Sequence, residues 1–327
     1  MVKENGKKMD KEIPVSIIMP TFEIDETEPA LRHLLKQKYS NKEIIVINDN
    51  PRLKIPPTLL ELIKTNEIRL INNPENLGIA ESLNVGIRAA KTNTILTICN
   101  DYFPESENLI KHIVEKLYSD EEIVVVGALL KWDIKSWHDY NFLTKLFTFN
   151  KMIEEDPIDT GNYKKDLLLK VGLFDSKNFK SGGEDIDLVS RIKKSGYKIV
   201  YSEEGIIHSH YNNKNSVLNI LKKEYAYGKS HGICKRKGGI FKRIGKFDFE
   251  LRLLFIIGFI IGLFINPLIS LFCFLPFFFA ALIKCIKAYP QTKWIPGLIL
   301  SPFAVILVFL IQTFGATKEY FKIKSLF

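Results

Sequence analysis

The residues best suited to chemistry in this chain are carboxylates that follow short apolar runs. Asp49 closes Glu43-Ile44-Ile45-Val46-Ile47, Asp101 closes Thr94 to Ile98 through Cys99-Asn100, and Glu184-Asp185-Ile186-Asp187 follows the glycine-rich Ser181-Gly182-Gly183. Carboxylates so placed do one of two jobs: they hold a hard divalent cation that neutralises phosphates, or they take a proton from an attacking hydroxyl. A His-x-His pair, His208 and His210, reads either as structural histidines or as further ligands for such a cation. No GxGxxG, GxxxxGKS or GxSxG occurs, which excludes the common dinucleotide, P-loop and serine-hydrolase sites. Cys99, Cys234, Cys273 and Cys285 form no CxxC pair and have no histidine at zinc-finger spacing, so they read as reduced thiols.

Positioning these groups takes strands that alternate with helices. Val15-Ser16-Ile17-Ile18-Met19, ended by Pro20, reads as a buried strand, and Leu31, Leu34 and Leu35 mark a helix over 28–38. A strand to Ile47, a helix over 58–64, a strand over 68–71, a helix over 80–90 and a strand over 94–98 follow. A helix opens at Glu184 and runs to about Lys194, and Lys198 to Tyr201 is again a strand. This order predicts an α/β fold with a mostly parallel sheet and flanking helices, whose ligands bind at the carboxyl ends of the strands. Three strands end there in Pro20-Thr21-Phe22-Glu23, Asn48-Asp49-Asn50 and Cys99-Asn100-Asp101. The stretch 133–155, rich in aromatics such as Trp137, Tyr140, Phe142 and Phe149, reads either as core or as a lid or acceptor-facing loop.

The charge is divided along the chain. Of 327 residues with 46 Lys plus Arg and 37 Asp plus Glu, residues 1–235 carry 34 of each sign, so the whole net charge of +9 lies in residues 236–327. That segment contains Leu253 to Ile283 and Trp294 to Thr317, two runs without Asp, Glu, Lys or Arg, which excludes a fully soluble protein. Because the surplus charge flanks greasy segments, a nucleic-acid partner is not expected. Residues 1–12 read as a disordered tail without a signal-peptide core, 13–235 as one globular domain, 236–252 as a basic amphipathic surface segment, 253–317 as membrane helices and 318–327 as a basic tail. Leu253 to Ile283 would be about 46 Å as one straight helix against a core of roughly 30 Å. Asn266-Pro267 divides it into an expected hairpin of two short helices, with Pro276 bending the second. Lys284, Lys287 and Lys293 on one side and Lys318, Lys322 and Lys324 beyond the last run admit two or three crossings. The expectation is a multi-pass protein of the cell membrane with its globular domain on the cytoplasmic face.

Several ordered motifs together carry a resemblance. Val15 to Phe22, Glu43 to Asp49, Asn76-Leu77-Gly78-Ile79-Ala80 with Asn84 and Gly86-Ile87, then Asp101 with Pro104, Gly161-Asn162, Val171-Gly172-Leu173-Phe174-Asp175, Gly183 to Leu188 and Gly196 to Ile199 resemble family 2 glycosyltransferases with the GT-A fold. The match runs from about Val15 to His210.

The resemblance implies inverting transfer of a sugar from a nucleotide diphosphate sugar, a UDP-sugar being the expected donor, to an acceptor hydroxyl. Pro20, Thr21, Phe22, Glu23, Asp49, Asn76, Asn84 and Asn100 would contact the nucleotide; the alternatives are core packing for Phe22, a turn or cap for Asp49 and a turn for an Asn beside a Gly, and binding is favoured for Asp49 more than for Phe22. Asp101 would ligate Mg²⁺ or Mn²⁺, with His208 and His210 as further ligands, because Cys99 and Asn100 replace the rest of the family's DxD triplet. Asp185 would be the catalytic base, with Glu184 and Asp187 its local rivals, and Gly161, Asn162 and Glu184 would lie on the sugar and acceptor side. The anchor points to a lipid-linked acceptor, a polyprenyl-linked glycan or polyprenyl phosphate, in cell-surface or glycoprotein glycan assembly. Rival readings are a processive polysaccharide synthase, for which the QxxRW segment is missing, and a non-catalytic nucleotide-sugar-binding protein, motivated by the altered triplet.

Overall fold

The computed structural model describes residues 3–4, 7–8, 12–153, 156–180, 182–208, 216–238 and 249–321. Eight strands form one sheet: β1 Val15–Thr21, β2 Lys42–Asn48, β3 Arg69–Asn72, β4 Thr94–Thr97, β5 Tyr102–Pro104, β6 Ile123–Trp132, β7 Asp156–Lys164 and β8 Lys198–His208, in spatial order β3-β2-β1-β4-β7-β6-β8-β5. The helices are α1 Glu28–Leu35, α2 Pro57–Thr65, α3 Ile79–Ala89, α4 Leu109–Leu117, α5 Ile134–His138, α6 Phe142–Thr148, α7 Lys165–Lys170, α8 Glu184–Lys194, α9 Val217–Arg236, α10 Phe249–Ile265, α11 Pro267–Thr292 and α12 Ile295–Phe321. Lys3–Glu4 and Lys7–Lys8 also pair antiparallel, within the stretch expected to be a disordered tail.

β1 pairs in parallel with β2 and β4, and β2 with β3, each crossover being made by one of α1, α2 and α3. Beyond β4 the direction reverses: β7 is antiparallel to both β4 and β6, and β8 is antiparallel to β5. The sheet is therefore mixed, where the sequence predicts a mostly parallel one. An apolar run such as Ile123 to Leu130 looks the same in either direction, so strand polarity is not written in its pattern. Every residue of β1 is buried, and Ile18 shares a core with Leu83 and Ile87 of α3, Phe174, and Leu188 of α8.

Contacts divide the chain into two compact units, Met1–Lys131 with Glu155–His210, and Trp132–Glu154 with Tyr211–Phe327. The division differs from the expected boundary at 235. The aromatics of 132–153 are core, as one of the two readings has it, but core of the second unit: Trp137 stands edge-on to Trp294 at 5.7 Å between ring centroids, and Phe149 lies 5.9 Å from the same ring. The aromatics and the C-terminal helices bury one another.

In the second unit α11 and α12 are long and apolar enough to cross a membrane. Asn266 caps α11, its Oδ1 accepting from the Leu268 N–H at 2.9 Å, so the α10–α11 turn lies where Asn266-Pro267 predicts it. The second arm is not short. α11 runs for 26 residues, about 39 Å, through both Pro276 and Pro290. Phe264 and Leu268 beside the turn are 86% and 71% exposed, surfaces suited to lipid. α9 lies along α12 at close range, since a Cβ on Gly228 would meet the Gln312 carbonyl oxygen at 2.2 Å and one on Gly232 the Ala316 oxygen at 2.3 Å. Most of the expected amphipathic segment, residues 239–248, lies outside the described residues.

Candidate active site

The ends of the parallel strands are sewn together by backbone. The Asp49 N–H donates to the Thr21 carbonyl at 2.8 Å, and Thr21, itself buried, accepts from the Thr27 hydroxyl at 3.0 Å. Pro20 is buried too, while Phe22 (52% exposed) and Glu23 project to solvent. The Asn100 amide reaches the Glu23 carbonyl at 3.4 Å, so the turn after β4 gathers beside the end of β1.

Asp49 shapes a loop. Its Oδ1 accepts from Asn73 Nδ2 at 2.8 Å and the Leu77 N–H at 2.9 Å, and its Oδ2 accepts from the Gly78 N–H at 2.9 Å. Asn76 makes an Asx turn, Oδ1 accepting from the same Gly78 N–H at 3.0 Å, in keeping with the turn reading. Gly78 has φ +82°, and a Cβ there would stand 2.4 Å from the Lys180 carbonyl oxygen. Only glycine allows this close approach of α3 to the loop before α8.

Asn84, expected to contact the nucleotide, is turned into the protein. It is 2% exposed, and its amide donates to the Phe174 carbonyl at 2.8 Å while its Oδ1 accepts the Phe174 N–H at 3.0 Å. Both ends of the side chain are engaged by backbone, which leaves it no group to offer a ligand. Gly161 and Asn162, expected on the sugar side, sit within the sheet: the Gly161 carbonyl accepts from the Thr97 hydroxyl at 3.2 Å, and buried Asn162 donates to the Val126 carbonyl at 2.7 Å.

The three carboxylates that open α8 have three different environments. Asp187 is buried and accepts from Arg191 Nε at 2.8 Å. The Arg191 guanidinium also bonds the Val171 carbonyl at 2.7 Å, the Leu173 carbonyl at 2.8 Å and the Gly172 carbonyl, so it grips the whole 171–173 loop. Glu184 is 6% exposed, and burial, with the neighbouring Asp185 charge, pushes its carboxyl up to about 8. Asp185 alone of the three is partly open to solvent, with Oδ1 accepting from the Ile186 N–H at 2.8 Å. Arg191 and Asn73 went unnoticed in the sequence. The signal for Arg191 was its position four residues after Asp187, one helical turn.

Among the described residues no group of three or more His, Cys, Asp or Glu is assembled to hold a metal. Asp101 is half-buried in the turn between β4 and β5. The β5–β8 register sets residue 208 opposite Tyr102, next in sequence to Asp101; beyond that the side chain of His208, and all of His210, lie outside the described residues. One hard oxygen donor at this turn fits Mg²⁺ or Mn²⁺ of the kind that takes its remaining ligands from substrate phosphates and water.

Residues 16–175 match the family model described as glycosyl transferase family 2. Glycosyltransferase GlyG of Streptococcus pneumoniae is 24% identical over 132 residues, 40% of this chain and 44% of that protein. A poly-beta-1,6-N-acetyl-D-glucosamine synthase of Staphylococcus aureus is 32% identical over 79 residues, 24% of this chain and 19% of that one. The chain thus spans less than half the length of these relatives. The solved structure of the mannosyltransferase PcManGT from Pyrobaculum calidifontis, in complex with GDP-Man and Mn²⁺, shares the fold, with a TM-score of 0.55, 15% identity, and coverage of 97% of this chain and 91% of that one. A mixed sheet of this order, shared with the mannosyltransferase structure, bears out the fold that the motifs imply: residues 16–175 match a glycosyl transferase family 2 domain, set on the GT-A architecture.

Proposed function

We propose that the chain transfers a sugar, with inversion, from a nucleotide diphosphate sugar to a hydroxyl of a lipid-linked acceptor at the cytoplasmic face of the membrane. The observation that carries this reading is the separation of the carboxylates at the start of α8: Asp187 is tied to Arg191 and Glu184 is buried, which leaves Asp185 open to take a proton. The acceptor oxygen forms its bond to the anomeric carbon as the bond from that carbon to the diphosphate breaks, and the hydroxyl proton passes to Asp185. Phe22, Glu23 and Asn100, at the ends of β1 and β4, would face the nucleotide, a reading supported by the Asn100 amide reaching the Glu23 carbonyl, with the loop that Asp49 shapes as its neighbour in the sheet. Asp101 would hold Mg²⁺ or Mn²⁺, with His208 and His210 as further ligands, and the cation would neutralise charge on the departing diphosphate. The mannosyltransferase that shares the fold was solved with GDP-Man and Mn²⁺, which supports a donor and a cation of these classes. The span-length helices support an acceptor that is itself in the membrane, a polyprenyl phosphate or polyprenyl-linked glycan.

The test is a panel of UDP- and GDP-sugars with Mn²⁺ and extracted lipid acceptors, run on the full chain in membranes. Turnover with one donor is expected, and Asp185→Asn should lower it by about 10³-fold or more while donor binding persists. Full activity in that variant overturns the assignment of Asp185. The synthase relative favours a second reading, processive polymer synthesis; it predicts products many sugars long in the same assay, where single addition is expected.

A further inference from the structure

The charged residues of the second unit conflict with an α12 that crosses a bilayer. α9 carries Lys222, Lys223, Glu224, Lys229, Lys235 and Arg236, too many charges for hydrocarbon. It runs beside the second half of α12 and in the same direction, Gly228 facing Gln312 and Gly232 facing Ala316. Lys229 reaches Glu319 at 3.5 Å, and Lys235 pairs with Glu250 at the start of α10. The other end of α12 is held in the same way. A Cβ on Gly297 would meet the Phe149 ring at 2.5 Å, and Trp294 packs on Trp137, whose ring lies under Lys145. Lys151 and Glu224, paired at 2.6 Å, tie these two flanks together, and Ile220, Trp137 and Phe149 share one core with Val305 and Phe309 of mid-α12. α12 is thus flanked at both ends by charged elements that are joined to each other, whereas a crossing helix sends its ends to opposite faces. What it leaves uncovered is one stripe, Ile295, Ile299, Phe303, Leu307, Leu310 and Phe314, spaced three or four residues apart.

The α10–α11 hairpin is too short to cross and return. From Leu253, the residue after Arg252, α10 has about 20 Å to Ile265, and Pro267 to Ile283 of α11 gives about 26 Å before Lys284, against a hydrocarbon core of roughly 30 Å. A turn that reached the far headgroups would be bordered by polar residues, but this one is bordered by exposed Phe264, Ile265, Leu268 and Phe272. Its backbone donors do not depend on water. The Asn266 N–H donates to the Gly262 carbonyl at 2.9 Å, the Ile269 N–H to the Asn266 carbonyl at 2.9 Å and the Leu268 N–H to Asn266 Oδ1, while Pro267 has no N–H. The Ser270 hydroxyl donates across the arms to the Phe259 carbonyl at 2.9 Å.

Resting on the membrane location proposed above, we propose that the second unit grips a single leaflet. α12 lies in the plane of the cytoplasmic leaflet with its apolar stripe toward the acyl chains, and the α10–α11 hairpin dips into the hydrocarbon and returns without reaching the far side. The lysines agree with this arrangement. Lys284, Lys287 and Lys293 before α12 and Lys318 near its end belong on one face by the positive-inside rule, which a crossing α12 breaks and an in-plane α12 obeys. The partner surface is the phospholipid monolayer of the cytoplasmic face, and none of α10, α11 and α12 makes one of the two or three crossings expected from the sequence.

The test uses the full chain in cell membranes prepared in both orientations, right-side-out and inverted. A sulfonated amine-reactive ester that cannot cross the bilayer is applied to the unmutated chain, and the modified lysines are identified by mass spectrometry. Lys287, Lys293 and Lys318, all exposed, should be modified in inverted vesicles and spared in right-side-out ones. Ile265→Cys and Leu268→Cys, two exposed positions at the turn that leave the Asn266 cap in place, report on the hairpin. Each should resist a membrane-impermeant maleimide in both orientations and react once detergent dissolves the bilayer. Lys293 and Lys318 modified from opposite faces overturn the in-plane α12. Either cysteine modified in right-side-out vesicles overturns the returning hairpin. A chain that does not float with the vesicles on a density gradient overturns the membrane location and this proposal together, whereas loss of turnover with every donor bears on the transferase reading alone.

Discussion

Asn84 and Phe174, ninety residues apart, are joined by a reciprocal pair of hydrogen bonds in which the Asn84 side chain meets both the N–H and the C=O of Phe174. The amide acts as a substitute strand partner for an isolated piece of backbone. It ties α3, which follows the loop shaped by Asp49, to the 171–180 loop that leads into α8. A second tie is the Ile79 N–H, which donates to the Lys180 carbonyl at 3.2 Å. A third is the Ser176 hydroxyl, which donates to Glu81 at 2.6 Å.

Asn84→Ala should destabilise the chain by about 3 kcal/mol, because it leaves both Phe174 backbone groups buried without partners. Thermal unfolding checks this. Since Phe174 engages both ends of the buried Asn84 amide, donor affinity below the melting transition should stay within about twofold, whereas a nucleotide contact would show a loss of affinity at full stability.

Arg191→Lys should cost about 2–3 kcal/mol, because a lysine ammonium cannot span Asp187 and the carbonyls of 171–173 at once. Loosening this loop also loosens the start of α8. The expected kinetic signature is a lower kcat with little change in KM for the donor, measured in the transfer assay.

Glu184 makes stability depend on pH in a definite direction. Its carboxyl is raised in the fold, so the stabilisation is fully present below the ordinary glutamate value of 4.5 and is lost as pH rises toward about 8, the unfolded chain releasing its proton first. Melting temperatures measured from pH 5 to 8.5 should fall across that window, and Glu184→Gln should flatten the fall.

Gly228→Val should force α9 from α12, since the Cβ position already lies 2.2 Å from the Gln312 carbonyl oxygen. The loss is about 3 kcal/mol or more, because separating the helices also disturbs Glu224, a buried carboxylate. Burial opposes its charge, but Lys151 at 2.6 Å and Gln312 at 2.7 Å hold it below the usual glutamate value. Heat inactivation of the full chain in detergent micelles reports the effect.

The amino-acid sequence by itself determined the local elements and the chemical inventory. The apolar runs at Val15, Glu43 and Thr94 became β1, β2 and β4 within a residue or two, Glu184 opened α8, and Asn266-Pro267 marked the turn before α11, because period, proline and glycine act over a few residues. Only the tertiary structure decided strand direction beyond β4, since an antiparallel neighbour leaves no mark on an apolar run. It also decided which polar residues are structural. Asn84 and Asp49 look like ligand residues until their partners, Phe174 and the 73–78 loop, are brought to them from elsewhere in the chain. Asp185, Glu184 and Asp187 are chemically near-identical in the sequence. They differ in the fold because long-range packing gave one an arginine, one a buried setting and one an opening to solvent.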